Sequence, residues 1–404
     1  MPKPLRPSTI AVVKETVPAL AAHGSTITRE MYSRLFRNEH IRMLFNQANQ
    51  GESGAQTHAL AAAILGYARN IDNPGVLGAV IERITQKHVG YNIMSEHYPF
   101  VAEALLEAIA HVLGEAATPE ILSAWGEAYW FLAEILKERE QTIRNGILAA
   151  EGGWTGWREF RVMEKLRESS VITSFLLRPD DGGKVVLHKP GQYLTFMLSP
   201  DGGDTIKRNY SISSAPSSDT YRISVKREAN GNGGSRYLHD QVTVGSVLKV
   251  SPPAGDFFLP ADQNGPVILL SGGVGLTPMV SMLEAVVNQG PHIDVHYVHG
   301  ALNGDTHAMR ERVQTLARRN PRVAATTFYS APGVDDVLGK THDAEGFINT
   351  DWLLANTSLL TADVFLCGPR PFLRTLVDAL VKVGVQSDRI HYEYFGPADE
   401  LLAA

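Results

Sequence analysis

Val267-Ile268-Leu269-Leu270-Ser271-Gly272-Gly273-Val274-Gly275-Leu276-Thr277-Pro278 is the stretch that decides the fold. An apolar strand runs into a glycine-rich turn and then into a helix starting near Thr277. Pro278 suits the first helical turn, where its missing N–H costs nothing. Glycines in such a turn let backbone amides approach a pyrophosphate, and the helix N-terminus adds its dipole. Taken alone, the turn is equally a plain strand–turn–helix. A second turn, Cys367-Gly368-Pro369, ends a later apolar strand, Val364–Cys367, and repeats the arrangement. Val295–His299 lies between them, and helices follow the first and last strands. Residues from Pro266 onward therefore read as an α/β doubly wound parallel sheet. Two such turns on one sheet point to a bound nucleotide.

The chain has 404 residues, too many for one core, so two or three domains are expected. It is 44% hydrophobic and 20% charged, the balance of a globular protein. A net charge of -6 and the lack of any run of five basic residues argue against nucleic acid as a partner. Lys14 and Glu15 interrupt any apolar core of a signal peptide. No apolar stretch reaches the roughly 18 residues of a transmembrane helix, so no transmembrane segment is expected. Cys367 is the single cysteine, which excludes an intramolecular disulfide and a four-thiolate iron–sulfur cluster. A reducing cytoplasm is the expected compartment.

Between Trp154 and about Pro260 the texture is β-rich. Val171–Leu177, Tyr193–Leu198, Tyr221–Lys226 and Val247–Val250 are separated by turns such as Asp181-Gly182-Gly183 and Pro190-Gly191. A small antiparallel β-barrel is predicted. Within it, Arg208-Asn209-Tyr210-Ser211 combines a forked cation suited to a phosphate, a ring for stacking and a hydroxyl. Tyr193 offers a second ring, and Val225-Lys226-Arg227-Glu228 more positive charge.

Residues 8–148 read as helix after helix, with apolar residues three and four apart, as in Leu77, Val80, Ile81 and Ile84. Breaks fall at Gly51–Gly54, at Asn73-Pro74-Gly75 and at Thr118-Pro119, where Thr118 can cap the next helix. The pattern stops at Ala149-Ala150-Glu151-Gly152-Gly153, a linker by its composition. Six histidines lie here, and a lone histidine is more often surface or satisfied core than a ligand. His88 differs because it continues the Leu77–Ile84 stripe into the core, just before Gly90 ends the helix. A core imidazole facing a planar cavity is what a haem iron requires. Tyr32 shares a helix with Leu35 and Phe36, and Gln56 begins the stripe Leu60, Ala63, Ile64, Tyr67. Each is also readable as a buried polar group paired to backbone. Glu140 lies one turn after Leu136 on an apolar stripe, where a charge needs a partner. The competing reading of Glu140 is a fraying helix end in water.

The motifs Arg208–Ser211, Gly272–Pro278, Cys367–Pro369 and Glu393-Tyr394-Phe395-Gly396 resemble, in order and spacing, the ferredoxin-reductase-like flavoproteins. Phe45-Asn46, Gln86-Lys87-His88, Tyr98 and Ala124-Trp125-Gly126 resemble a bacterial-type globin. Joined in one chain, they resemble the flavohaemoglobins. The resemblance implies a globin haem domain at 1–150, an FAD-binding β-barrel at 154–262 and an NAD(P)-binding α/β domain at 263–404. It also implies haem b, FAD and NAD(P)H as cofactors. No Cys-x-x-Cys-His sequence is present to tether the haem covalently.

Carried over residue by residue, His88 is the iron ligand, with Lys87 beside it and Tyr98 and Glu140 clustered behind it. Tyr32 and Gln56 are the ligand-side polar groups, with His58 as a competitor, and Phe45 wedges the haem. Tyr193, Arg208, Asn209, Tyr210 and Ser211 bind the flavin. Gly273, Val274, Gly275, Leu276, Thr277 and Pro278 bind the dinucleotide. Glu393, Tyr394, Phe395, Gly396 and Pro397 close over the flavin ring. The implied activity is nitric oxide dioxygenation, in which NO and O2 become nitrate. Two alternatives are a haem-dependent alkyl hydroperoxide reductase, with a lipid entering the distal pocket, and an oxygen carrier or sensor. His299-Gly300-Ala301-Leu302-Asn303 holds no acid for a ribose hydroxyl and no arginine for a 2′-phosphate, so NADH and NADPH both remain open.

Overall fold

The structure is a computed structural model that describes residues 3–45, 55–203, 205–229, 233–290 and 293–396, with the side chains of Ala55, Gln56 and Asp201 left out. The side chain of Gln56 and the whole of Pro397 therefore lie outside what the structure describes. The chain forms two compact units whose main boundary in sequence lies between Ala150 and Glu151, with residues 205–207 grouped with the first.

The first unit is all-α. Its helices are α1 (Pro7–Glu15), α2 (Val17–Leu35), α3 (Glu39–Arg42), α4 (Ala55–Arg69), α5 (Gly78–Gly90), α6 (Tyr98–Leu113) and α7 (Pro119–Ala149). Local chemistry sets their ends. The Thr118 hydroxyl accepts from Ile121 N–H at 3.3 Å and Pro119 opens α7, while α5 closes at Gly90. Ile27, Met31, Leu35, Ile41, Leu105, Ile109 and Trp125 form the core, each buried side chain contributing roughly 1.5–3 kcal/mol. Trp125 satisfies its indole N–H on the Thr16 hydroxyl at 3.1 Å. Val80 departs from the stripe assigned to it and is 45% exposed, because α5 turns its Ile81 and Ile84 edge inward instead. Glu140 sits more than two turns before the end of α7 and is 1% exposed, which rejects the fraying-end reading.

The second unit holds two six-stranded sheets. One is antiparallel: β1 (Arg158–Arg167), β2 (Ile172–Pro179), β3 (Tyr193–Leu198), β4 (Ile206–Ser211), β5 (Tyr221–Lys226) and β6 (Val247–Val250), in the order β4-β3-β6-β1-β2-β5. Its edges meet where Ile212, just beyond β4, bridges to Ile223 of β5, which closes the barrel. The short helix α8 (Gly234–Asp240) follows β5.

The other sheet is parallel: β7 (Val267–Gly272), β8 (Val295–Ala301), β9 (Val323–Tyr329), β10 (Ala344–Glu345), β11 (Asp363–Cys367) and β12 (Ile390–Glu393), ordered β10-β9-β8-β7-β11-β12. Helices α9 (Leu276–Gln289), α10 (Arg310–Arg319), α11 (Thr350–Asn356) and α12 (Arg370–Lys382) accompany it. The order of strands reverses between β7 and β11, where ligands of such sheets bind beyond the carboxyl ends. Cys367 pairs with Ser271 there, so both glycine-rich turns emerge side by side.

Candidate functional site

Three side chains from three helices converge in the first unit. His88 on α5 places Nδ1 2.7 Å from Oε1 of Glu140 on α7 and 3.1 Å from the hydroxyl of Tyr98 on α6. The Tyr98 hydroxyl donates to the same Glu140 oxygen at 2.5 Å. Burial, then the Glu140 charge, push the Tyr98 phenol well above its ordinary pKa, so it remains a donor. Tyr129 hydroxyl donates to the Tyr98 carbonyl at 2.7 Å and steadies the start of α6.

Arg144 is a member of this cluster that the sequence reading does not include. It is buried, lies 3.6 Å from Glu140 Oε2 and donates to the Ile93 carbonyl. The i, i+4 spacing from Glu140 was its only sequence signal. Nδ1 of His88 is thus engaged, which directs Nε2 as the nitrogen able to take a metal. An imidazole backed by a carboxylate is the donor set of a haem iron ligand, so these residues fit the group.

Tyr32, Phe36 and Phe45 form an aromatic cluster, with Tyr32 stacked on Phe36 at 5.3 Å and meeting Phe45 edge-on at 5.8 Å. His58 does not join it. It is exposed on α4 and its Nδ1 meets the Ser25 hydroxyl at 3.0 Å. Lys87 is exposed on α5.

In the barrel, Arg208 and Tyr210 alternate on one face of β4, while Ser211 is buried. Tyr210 meets Phe196 edge-on at 5.6 Å. Gly234 lets α8 press against β4, since a Cβ there would sit 2.8 Å from Arg208 Cγ. Tyr193 is buried on β3, its ring against Gly255, and Asn209 is exposed. A guanidinium beside two aromatic rings and a hydroxyl fits a flavin dinucleotide.

At the switch point the glycines divide their work. A Cβ on Gly275 would lie 2.1 Å from the Cys367 carbonyl oxygen, and one on Gly368 only 3.2 Å from Gly272 N. Gly275 is therefore needed for contact between the two turns, whereas a Cβ on Gly368 would first meet the Phe372 ring, at 2.7 Å. Gly273 has φ +53 with nothing within 4 Å, so it keeps the open side of the loop that the pyrophosphate reading requires. Val274, Leu276, Thr277 and Pro278 lead into α9, where Thr277 hydroxyl donates to the Val274 carbonyl at 3.1 Å.

Glu393 on β12 pairs with Cys367 on β11, which brings the C-terminal motif to the same crevice. Burial first, and the Glu393 charge second, push the Cys367 thiol well above its ordinary value, so it is inert. Gly396 N–H donates to the Tyr394 carbonyl at 2.9 Å, and Phe395 is 47% exposed.

The globin family's model matches residues 29–136. That of the oxidoreductase FAD-binding domain matches 159–259, and that of the oxidoreductase NAD-binding domain 269–378. A flavohemoprotein of Xylella fastidiosa is 57% identical over 399 residues, covering 98% of this chain and 98% of that protein. The chain belongs to the flavohemoprotein family. The crystal structure of a flavohemoglobin from Malassezia yamatoensis, with bound FAD and heme, superposes with a TM-score of 0.86 at 26% identity, covering 97% of this chain and 100% of the other. The FAD/NAD-binding domain of a nitric oxide dioxygenase from Vibrio cholerae is 38% identical, with a TM-score of 0.54 over 59% of this chain and 99% of that domain. Among the described residues of this flavohemoprotein, no helix is long and apolar enough to cross a membrane.

Proposed function

We propose that this flavohemoprotein is an NAD(P)H-dependent nitric oxide dioxygenase, converting NO and O2 to nitrate in the cytoplasm. The reading is carried by the His88–Glu140–Tyr98 cluster in a chain that also bears the flavin and dinucleotide motifs. When bound, haem b supplies the oxygen chemistry, FAD turns a hydride into single electrons, and NAD(P)H supplies the hydride.

Residues 1–150 serve the haem, 154–262 the FAD and 263–404 the dinucleotide. His88 offers Nε2 to the iron. Its Nδ1 proton is held by Glu140, 2.7 Å away, which gives the imidazole imidazolate character and a stronger push of electron density. Tyr98 shares that carboxylate and keeps Glu140 aimed at Nδ1. Arg144 on the other carboxylate oxygen restrains how far the proton moves. On the ligand side, Tyr32 offers a hydroxyl within an apolar aromatic cluster that small uncharged gases can enter, with Gln56 assisting and Phe45 wedging the ring edge.

In the reductase, Arg208 would hold a flavin phosphate, Tyr193 and Tyr210 would offer rings for stacking and Ser211 a hydroxyl, with Asn209 among the flavin-binding residues. The turn from Gly273 to Pro278 takes the dinucleotide, while Glu393, Tyr394, Phe395, Gly396 and Pro397 cover the flavin. Lys87, next to His88 on α5, belongs with the residues that would serve the haem.

The test is a purified protein whose spectrum shows haem and flavin together and which consumes NO only with O2 and NADH present, releasing one nitrate per NO. Faster turnover of alkyl hydroperoxide than of NO at matched NADH would instead assign the electron push to O–O cleavage. A finer test addresses Tyr32. Tyr32→Phe should release O2 about ten- to hundredfold faster, since hydrogen bonds to charged partners contribute about 1.5–3 kcal/mol. Reduction of the flavin by NADH should be unchanged and Gln56→Leu should have a smaller effect. Stopped-flow O2 dissociation checks this, and an unchanged rate in Tyr32→Phe moves the donor role to Gln56.

A further inference from the structure

Helix α9 contacts two motifs in the second unit. Its first turn carries Leu276-Thr277-Pro278, directly after the glycines that meet β11. Further along, Ser281 and Glu284 lie three residues apart on one face and meet Ser213-Ser214-Ala215, the segment that leaves β4 just beyond Ser211. Ser281 hydroxyl donates to the Ser214 carbonyl at 2.7 Å. The same carbonyl accepts from His188 Nε2 at 3.1 Å. Glu284 Oε2 accepts the Ala215 N–H at 2.9 Å. Its Oε1 accepts from Arg222 of β5 at 2.8 Å and from Arg312 of α10. Arg222 also donates to the Ser213 carbonyl. All three residues of the segment are held, two of them by α9.

Glu284 and Arg222 are out of water, 6% and 9% exposed, while Arg312 is half exposed. Burial opposes the Glu284 charge, yet Arg222 and Arg312 hold its carboxyl below the usual carboxylate range. Burial takes His188 down to about 4, so it is neutral, and its donor nitrogen is Nε2. A buried ion pair adds little stability over well-packed apolar groups, whereas it fixes direction and register. The helix supplies the rigid link. From Thr277 to Glu284 it spans about 10 Å at roughly 1.5 Å per residue.

We propose that Ser281, Glu284 and Arg222 are positioning residues that clamp the dinucleotide-binding end of α9 to the flavin-binding strand β4. They thereby set how the two cofactors face each other. The inference rests on the proposed function only for the identity of those cofactors. Hydride passes from dihydronicotinamide, which is oxidised, to flavin, which is reduced. Its rate depends steeply on their register.

The test uses full-length protein with both cofactors, mixed anaerobically with NADH while flavin absorbance is followed. Glu284→Gln keeps the shape and removes the charge. Its limiting rate of flavin reduction should fall on the order of tenfold, with little change in the half-saturating NADH concentration. The isotope effect with deuterated NADH should rise as transfer itself becomes limiting, which a loss of stability alone would not produce. Hydrogen exchange at the Ala215 amide should accelerate, since its acceptor is weakened. Ser281→Ala, which removes one neutral hydrogen bond, should slow reduction roughly threefold. It decides the matter alone if Glu284→Gln does not retain FAD. Wild-type rates and isotope effects in the variants that retain FAD overturn the clamp. A wild-type protein whose flavin neither NADH nor NADPH reduces overturns the proposed function instead.

Discussion

His88→Ala is expected to abolish the haem Soret band while leaving the flavin spectrum and NADH oxidation by ferricyanide intact. The imidazole is the group offered to the iron, and Glu140 and Tyr98 are arranged to serve its Nδ1. Nothing else in the cluster has a neutral nitrogen to substitute, because Arg144 is a permanent cation directed at Glu140 and Ile93. The substitution leaves Glu140 with one hydrogen bond fewer, a loss of about 1–3 kcal/mol for a buried acceptor. Tyr98 and Arg144 still face the carboxylate, so a domain of ordinary stability, roughly 5–15 kcal/mol, stays folded. The flavin and dinucleotide motifs lie in the other compact unit and should not register the change. Absorption spectra before and after haem reconstitution check this. A normal Soret band in His88→Ala would remove His88 as the ligand and with it the haem half of the proposed function.

Sequence and structure agree best where one physical signal dominates. Tyr193–Leu198, Tyr221–Lys226 and Val247–Val250 are dense in β-branched and aromatic residues, and each has the bounds that its composition predicts. β1 escapes such reading because Arg158–Arg167 carries six charges and buries only Phe160 and Val162. α10 is polar almost throughout, with Val313 its one buried residue. Both elements are held by their neighbours rather than by their own pattern.

The haem-side cluster was half legible. The stripe through Leu136 places Glu140 on the inner face, but only the continuation of α7 to Ala149 shows that it stays dry. Glu284 carried no signal. Its partners are Ala215, Arg222 and Arg312, far away in the chain, and no periodicity encodes such a meeting. The glycines were legible as a turn and less so in purpose. Gly275 serves contact between two backbones, a requirement invisible until β7 and β11 are known to be neighbours.

That division among the glycines leads to the second large effect. Gly275→Ala should lower the limiting rate of flavin reduction by NADH about a hundredfold, whereas Gly273→Ala should mainly raise the half-saturating NADH concentration, its methyl filling the open side of the loop. At Gly275 the φ of -60° is ordinary, so conformation is not the obstacle. Space is the obstacle. The new methyl would lie 2.1 Å from the Cys367 oxygen, 2.4 Å from its carbon and 2.7 Å from Gly368 N, all backbone atoms. Side chains can swing aside, but here β7 and β11 are paired strands in the middle of the sheet and cannot part without breaking their ladder. The turn must lift instead, moving Thr277 and the start of α9 away from the crevice. A displacement near 1 Å at such a site costs about a hundredfold in rate. At Gly273 the positive φ costs roughly 1–2 kcal/mol, but the methyl would meet nothing within 4 Å. Anaerobic stopped-flow reduction of the flavin in both variants, with haem absorbance as the control for folding of the first unit, decides between them. Equal rates in Gly275→Ala and wild type would mean that the two turns need not touch for the dinucleotide to bind.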